Sequence, residues 1–234
     1  MNLFNKTISL IKAEYKTNPN NLGWRFLVTS EKTMEQNNGI LFLTLNPGGD
    51  ADVKDHPSSS CEKGAAYFTE NWSGALPGES VLQKQVQYLF KEIADRIKEN
   101  DFRKVLENSL CAYFIPFRSR NIKSLKGKKE TEEFAKRIWK EILKELQFKV
   151  IMCIDRDTYK YVETIIEDMG YKHIKGKELE TGWGHYKAAV SKYRTPGGIV
   201  TLARFPHLSR FTIFGRPASE KHIATIIKEI FKDY

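Results

Sequence analysis

The chain has 234 residues, 41% hydrophobic and 29% charged, with a formal net charge of +9. That is ordinary globular chemistry, long enough for one large domain with a buried core. It argues against a disulfide-rich miniprotein and, with no apolar run of spanning length, a transmembrane bundle.

The charge is unevenly placed. Residues 1–117 carry 13 Lys/Arg against 14 Asp/Glu, whereas residues 118–234 carry 25 against 15. A one-sided cationic excess suits an anionic partner, nucleic acid first, or a solvated Lys-rich surface. Arg118, Arg120, Lys123, Lys126, Lys128 and Lys129 concentrate it locally. Cys61, Cys111 and Cys153 are too few and too scattered for a disulfide framework or a Cys-rich metal site. Buried thiols and a reducing, cytoplasmic location are expected.

In chain order, apolar spacing predicts a helix over residues 3–16, with no cleavage site of a signal peptide behind it. The run 39–45 reads as a buried strand. A Gly-, Ser- and Pro-rich stretch over 46–78 reads as a long loop, a length that is usually functional. Val81, Leu82, Val86, Leu89, Phe90, Ile93 and Ile97 stripe a helix over 79–99. A strand from Leu110 to Phe117 follows, then a basic loop and a helix over 130–146. Val150 to Ile154 is a third strand, and a helix over 156–169 comes directly after it. Strands near 185–192 and 198–204 and a helix over 218–232 complete the chain. Strands separated by helices predict a three-layer α/β/α domain around a mainly parallel sheet, with one domain over 1–234 and its core over 39–231.

Three segments draw attention as chemistry. Asn46-Pro47-Gly48-Gly49 turns sharply at the carboxyl end of the first strand, where ligands of open α/β sheets bind. Tyr113-Phe114-Ile115-Pro116-Phe117-Arg118-Ser119 ends the second strand, and Arg204-Phe205-Pro206-His207-Leu208-Ser209-Arg210-Phe211 ends the last. In a parallel sheet all three leave at the same edge. Asp50 and Asp52 are alternative bases or plain loop acids. His56-Pro57-Ser58-Ser59 reads as a polar turn, and His185 as the start of a strand. Trp72 is either a stacking surface or a loop anchor. No phosphate-binding Gly-rich motif, dinucleotide fingerprint, zinc motif or calcium loop is present, so no cofactor and no metal are expected.

These segments, in this order, resemble the uracil-DNA glycosylase superfamily, in the branches with an Asn-Pro-Gly turn after the first strand. The resemblance implies a glycosylase fold and hydrolysis of an N-glycosidic bond on a flipped base. It implies that Asn46 holds the attacking water and that Pro47, Gly48 and Gly49 let the backbone approach the base. Tyr67 or Phe68 would stack on the base, and Leu208 would wedge into the gap. His207 would contact the base, with Arg204 beside it, while Ser209 and Arg210 would meet phosphates. Tyr113, Pro116 and Arg118 would line the site from the second strand. Two departures stand out. The late loop places Arg204-Phe205-Pro206 where the family has His-Pro-Ser, shifting His207 along it. Tyr113 stands where many relatives carry an Asn that reads the uracil edge. The partner expected is nucleic acid, DNA first, with no membrane and a monomeric chain. The alternatives are a non-catalytic nucleic-acid-binding or regulatory module, and a hydrolase of free nucleosides or nucleotides.

Overall fold

A computed structural model of the chain describes residues 1–49 and 58–234. Helix α1 (Leu3–Tyr15) starts where the Asn2 side chain accepts from the Asn5 amide at 2.9 Å, capping the first turn. Strand β1 (Ile40–Thr44) is buried along its whole length. A short helix α2 (Ala66–Thr69) interrupts the predicted long loop. Helix α3 (Val81–Ile97) opens on a reciprocal box between Ser80 and Gln83. Helix α4 (Phe102–Glu107), not expected from periodicity, precedes β2 (Leu110–Tyr113). Then follow α5 (Lys128–Glu145), β3 (Val150–Cys153), α6 (Arg156–Asp168), β4 (Lys172–Trp183), β5 (Tyr186–Thr195), β6 (Gly198–Arg204) and α7 (Glu220–Ile230).

The sheet order is β2-β1-β3-β6-β5-β4. The first four of these strands run parallel, and β5 and β4 add antiparallel at one side. Side-chain alternation then assigns the two faces. Leu41 and Leu43 of β1 join α1, α5 and α6 in one core, with Ile11, Trp139 and Ile165. Ile40 and Phe42 join α3 and α7 in the other, with Val86, Phe90 and Ile226. The result is the expected three-layer α/β/α arrangement. Among the described residues, no helix is long and apolar enough to cross a membrane.

The second strand is shorter than expected. Beyond Tyr113 the chain keeps only two further ladder bonds, Phe114 N to Thr44 O at 2.7 Å and Ile115 N to Leu45 O at 2.8 Å, before it turns away. Strand β4 was not legible at all, because its residues are mostly exposed Lys, Glu and Gly at a sheet edge.

Gly182, near the end of β4, has φ +73°, and a Cβ there would lie 2.5 Å from Ala218 O and 2.9 Å from Ser219 Cα. The hairpin thus lies directly on the turn leading into α7. Gly182→Ala is expected to cost about 1–3 kcal/mol, because both contacts are backbone and cannot swing aside. Chemical denaturation would show it, and an unchanged midpoint would contradict the packing.

Candidate active site

Parallel pairing puts four strand ends on one edge. Thr44 is level with Tyr113, Leu43 with Cys153, and Cys153 with Arg204. Asn46, Asp155 and the loop after Arg204 therefore emerge side by side, in the place where such sheets bind ligands.

Asn46 is fixed by its nitrogen. Nδ2 donates to Ser119 Oγ at 2.8 Å, Pro47 O at 3.2 Å and Phe117 O at 3.3 Å. Two of these partners are carbonyls, which only accept, so chemistry settles which end of the amide faces them. Oδ1 then points the other way and, among the described residues, accepts no hydrogen bond. The turn is stitched further to the second strand's extension. Ser119 N donates to Pro47 O at 3.2 Å, and the buried Arg118 guanidinium donates to Gly48 O. Gly49 takes φ +103°, a conformation costly to any residue with a Cβ.

Asp155 follows β3 directly and caps α6. Its carboxylate accepts from Thr158 N at 2.6 Å and Thr158 Oγ1 at 2.7 Å. Burial raises its pKa above the usual carboxylate value, partly opposed by those two bonds and by nearby His207. In sequence it looks only like a helix cap, and nothing there marks it as part of a site.

His207 begins a tight turn, with its carbonyl accepting from Arg210 N at 2.9 Å and Phe211 N at 3.0 Å. Its Nδ1 lies 2.9 Å from Ser209 Oγ. The residue keeps an exposed edge, yet the protein packed around the ring lowers its pKa, and the Asp155 charge only partly offsets this. The imidazole is therefore neutral near neutrality. Arg204 reaches back to Glu178 at 3.3 Å and Lys187 O at 3.4 Å. It also borders an open groove of about 490 Å³ between α6 and the β4–β6 strands, with Arg156, Lys160 and Ser191. Ser209 and Arg210 are exposed.

Beneath Tyr113 lies a buried polar cluster that spacing did not reveal. Arg25 and Glu70 pair in two-pronged fashion at 2.6 and 2.5 Å, and Arg25 also donates to Cys61 Sγ at 2.8 Å. Trp72 Nε1 donates to Glu70 at 2.9 Å, which makes Trp72 a loop anchor. Burial pushes the Cys61 thiol up to about 12 and raises the Tyr113 phenol as well. Tyr113 itself is half-buried. Pro116 is buried, and its carbonyl accepts from Arg25 N at 2.8 Å.

Three expectations need correction. Tyr67 is not a loop aromatic open to a base. It belongs to α2 and is 1% exposed, edge-on to Phe42 and Trp72 at centroid distances of 6.0 and 5.3 Å. Phe68 is half-buried against Phe102, with the Arg103 guanidinium 4.8 Å above its ring, so that face is taken. Leu208 is not a projecting wedge. It is 0% exposed and packs in the core under α3 and α7, because the His207 turn rotates it inward. His185 lies in the turn before β5. Asp50, Asp52, His56 and Pro57 lie outside the described residues, while Ser58 and Ser59 offer carbonyls to Phe26 N at 2.8 Å and Leu27 N at 3.0 Å. No family model matches this sequence, and no curated protein does either.

Proposed function

We propose that the chain hydrolyses the N-glycosidic bond of a deaminated or damaged base held in nucleic acid, at the edge where Asn46, Arg118, Asp155 and His207 converge. The observation that carries the reading is the anchoring of Asn46 through Nδ2, which leaves Oδ1 to accept from a water. The C1′–N bond breaks with its electron pair leaving on the base, and the water oxygen bonds C1′. The water's proton passes to solvent or to the Asp155 carboxylate. Departure of the base does most of the work, so a positioned water suffices and no strong base is needed. With the Ser209 hydroxyl donating to Nδ1, the neutral His207 carries its proton on Nε2 and donates it as a hydrogen bond to the base anion. The cationic second half of the chain supports a phosphate-bearing substrate.

The buried Leu208 and Tyr67 favour one form of that substrate. Flipping a base out of a duplex costs a few kcal/mol, which a wedge normally offsets. Without one, an already unpaired base is the better substrate. The same observation supports the free-nucleoside alternative.

The test is a panel of oligonucleotides containing uracil, hypoxanthine, xanthine or a mismatch, single- and double-stranded, read by alkaline cleavage at abasic sites. Release from at least one single-stranded member is expected. Salt-sensitive binding without release would make the chain a binding module, and turnover of free nucleosides alone would favour the third reading. The rate should also fall on acidification, with a limb centred above the ordinary carboxylate value, as Asp155 takes up a proton and can no longer accept the water's. Asp155→Asn should remove the limb. A limb centred at or below the ordinary carboxylate value would contradict a desolvated acceptor.

A further inference from the structure

The tip of the β4–β5 hairpin carries aromatic side chains that the proposed chemistry does not use. Antiparallel pairing ends with Ala189 opposite Arg204, and Tyr186, three residues nearer the hairpin tip, lies against Phe211 of the turn that His207 opens. Tyr186 is 50% exposed, although it lies against Phe211 with a centroid distance of 3.9 Å. Trp183 meets the same Phe211 edge-on at 6.4 Å. The Arg216 guanidinium sits 4.5 Å from the Trp183 ring centroid and donates to Gly182 O at 2.8 Å, fixing the ledge from behind. Exposed Arg210 lies in the same turn as Phe211, while exposed Lys187, next to Tyr186, pairs with Glu180 at 3.1 Å.

A half-open aromatic ring near the exposed Arg210, at the edge where a reacting nucleotide would lie, has a specific chemical use. Bases have two apolar faces and a charged backbone. Single-strand binders meet both needs with stacking rings and nearby Arg or Lys. A water-exposed tyrosine held in place by Phe211 and Trp183 has already lost the rotamer freedom that stacking would otherwise cost. We infer that the Tyr186–Phe211–Trp183 ledge is a stacking site for an unpaired base flanking the target nucleotide. The inference rests on the nucleic-acid part of the reading above and narrows it to single-stranded substrate. It also supplies stacking that Tyr67 and Leu208, closed within the core, do not.

The probe is a short single-stranded oligothymidylate, which contains no target base. Its binding to the full chain is followed by tryptophan fluorescence and by anisotropy of a labelled end. Tyr186→Ala is expected to weaken binding about ten-fold or more, in keeping with a stacked base. Tyr186→Phe should stay within about two-fold of wild type, because the ring survives. The log-affinity slope against salt should be unchanged by Tyr186→Ala, since no phosphate contact is lost. Binding should quench fluorescence in the wild type and less so in Trp183→Phe. The site is surface-exposed, so melting of Tyr186→Ala serves as a folding control, and Tyr186→Gln, which keeps bulk but has no ring, should show the same loss if that variant is unstable. Equal loss in the Ala and Phe variants, no loss in either, or no binding by the wild type would overturn the inference. Base release is scored separately. Oligothymidylate binding that depends on Tyr186, with no base released from any oligonucleotide, would sink the glycosylase reading and leave the ledge standing. Base release untouched by Tyr186→Ala, together with unchanged binding, would do the reverse.

Discussion

Asn46→Asp is expected to lose as much base release as Asn46→Ala, about 100-fold or more for each. Intuition from acid–base chemistry runs the other way, since a carboxylate is the stronger base. The surroundings of Nδ2 decide. Pro47 O at 3.2 Å and Phe117 O at 3.3 Å are acceptors with nothing to donate. A carboxylate oxygen in that position loses both bonds and faces two carbonyl dipoles. Either the carboxyl holds a proton, and is then no base, or the turn opens and the water site goes with it. The lost bonds should also destabilise Asn46→Asp by about 1–3 kcal/mol. Single-turnover rates and melting curves on the same preparations would check both effects. A faster Asn46→Asp enzyme would show that proton abstraction, not water positioning, limits the reaction.

The second large effect concerns stability. Arg25 and Glu70 are 2% and 8% exposed. Neutralising either one alone strips the other of its two-pronged charge partner inside the core. Glu70→Gln or Arg25→Met should each cost about 3–5 kcal/mol, lowering the melting temperature by roughly 6–20 °C. Replacing both, as Arg25→Met with Glu70→Leu, should recover much of that loss, because a buried ion pair contributes little net stability over well-packed apolar groups. The pair does more than hold charge. Gln83 Nε2 donates to Glu70 O at 2.7 Å and Arg25 N to Pro116 O at 2.8 Å. The segment before β1, the helix α3 and the extension of β2 are thus tied together under Tyr113. Single variants should lose base release along with stability. A cost under about 1 kcal/mol for either single change would contradict this role.

The parts of the fold that were legible in sequence are those where burial writes a pattern. Ile40 to Thr44 is buried on both faces and reads as a continuous apolar run. Helices α3 and α5 carry apolar stripes because one side of each faces a core. Strand β4 carries no such pattern: as an edge strand it is set by hydrogen bonds to β5, not by burial. At the candidate site, the turn carrying Asn46 was legible because Pro-Gly marks a turn after a strand. Its Nδ2 partners were not, because Phe117 and Ser119 are far away in sequence. Asp155 was hidden behind its role as a cap for Thr158. Leu208 was misread because Pro206 and His207 suggest an exposed loop, while the turn between buried Phe205 and Ile213 carries the leucine back into the core. Tyr67 was misread for the same kind of reason, in a Gly- and Ser-rich stretch whose short helix α2 lays it on Phe42. The Arg25–Glu70 pair joins residues 45 positions apart, and no spacing rule announces it.

A crystal structure with a short single-stranded oligonucleotide bearing a 2′-fluoro, cleavage-resistant deoxyuridine would test the central claim most directly. Fluorine disfavours the positive charge that builds on the sugar, so the intact nucleotide should persist in its site. The target sugar is expected at the shared edge of β1, β2, β3 and β6. Its C1′ should lie about 3–3.5 Å from a water bound to Asn46 Oδ1, with the base against His207. A nucleotide bound on any other surface, with Asn46 Oδ1 out of reach of its sugar, would contradict the account.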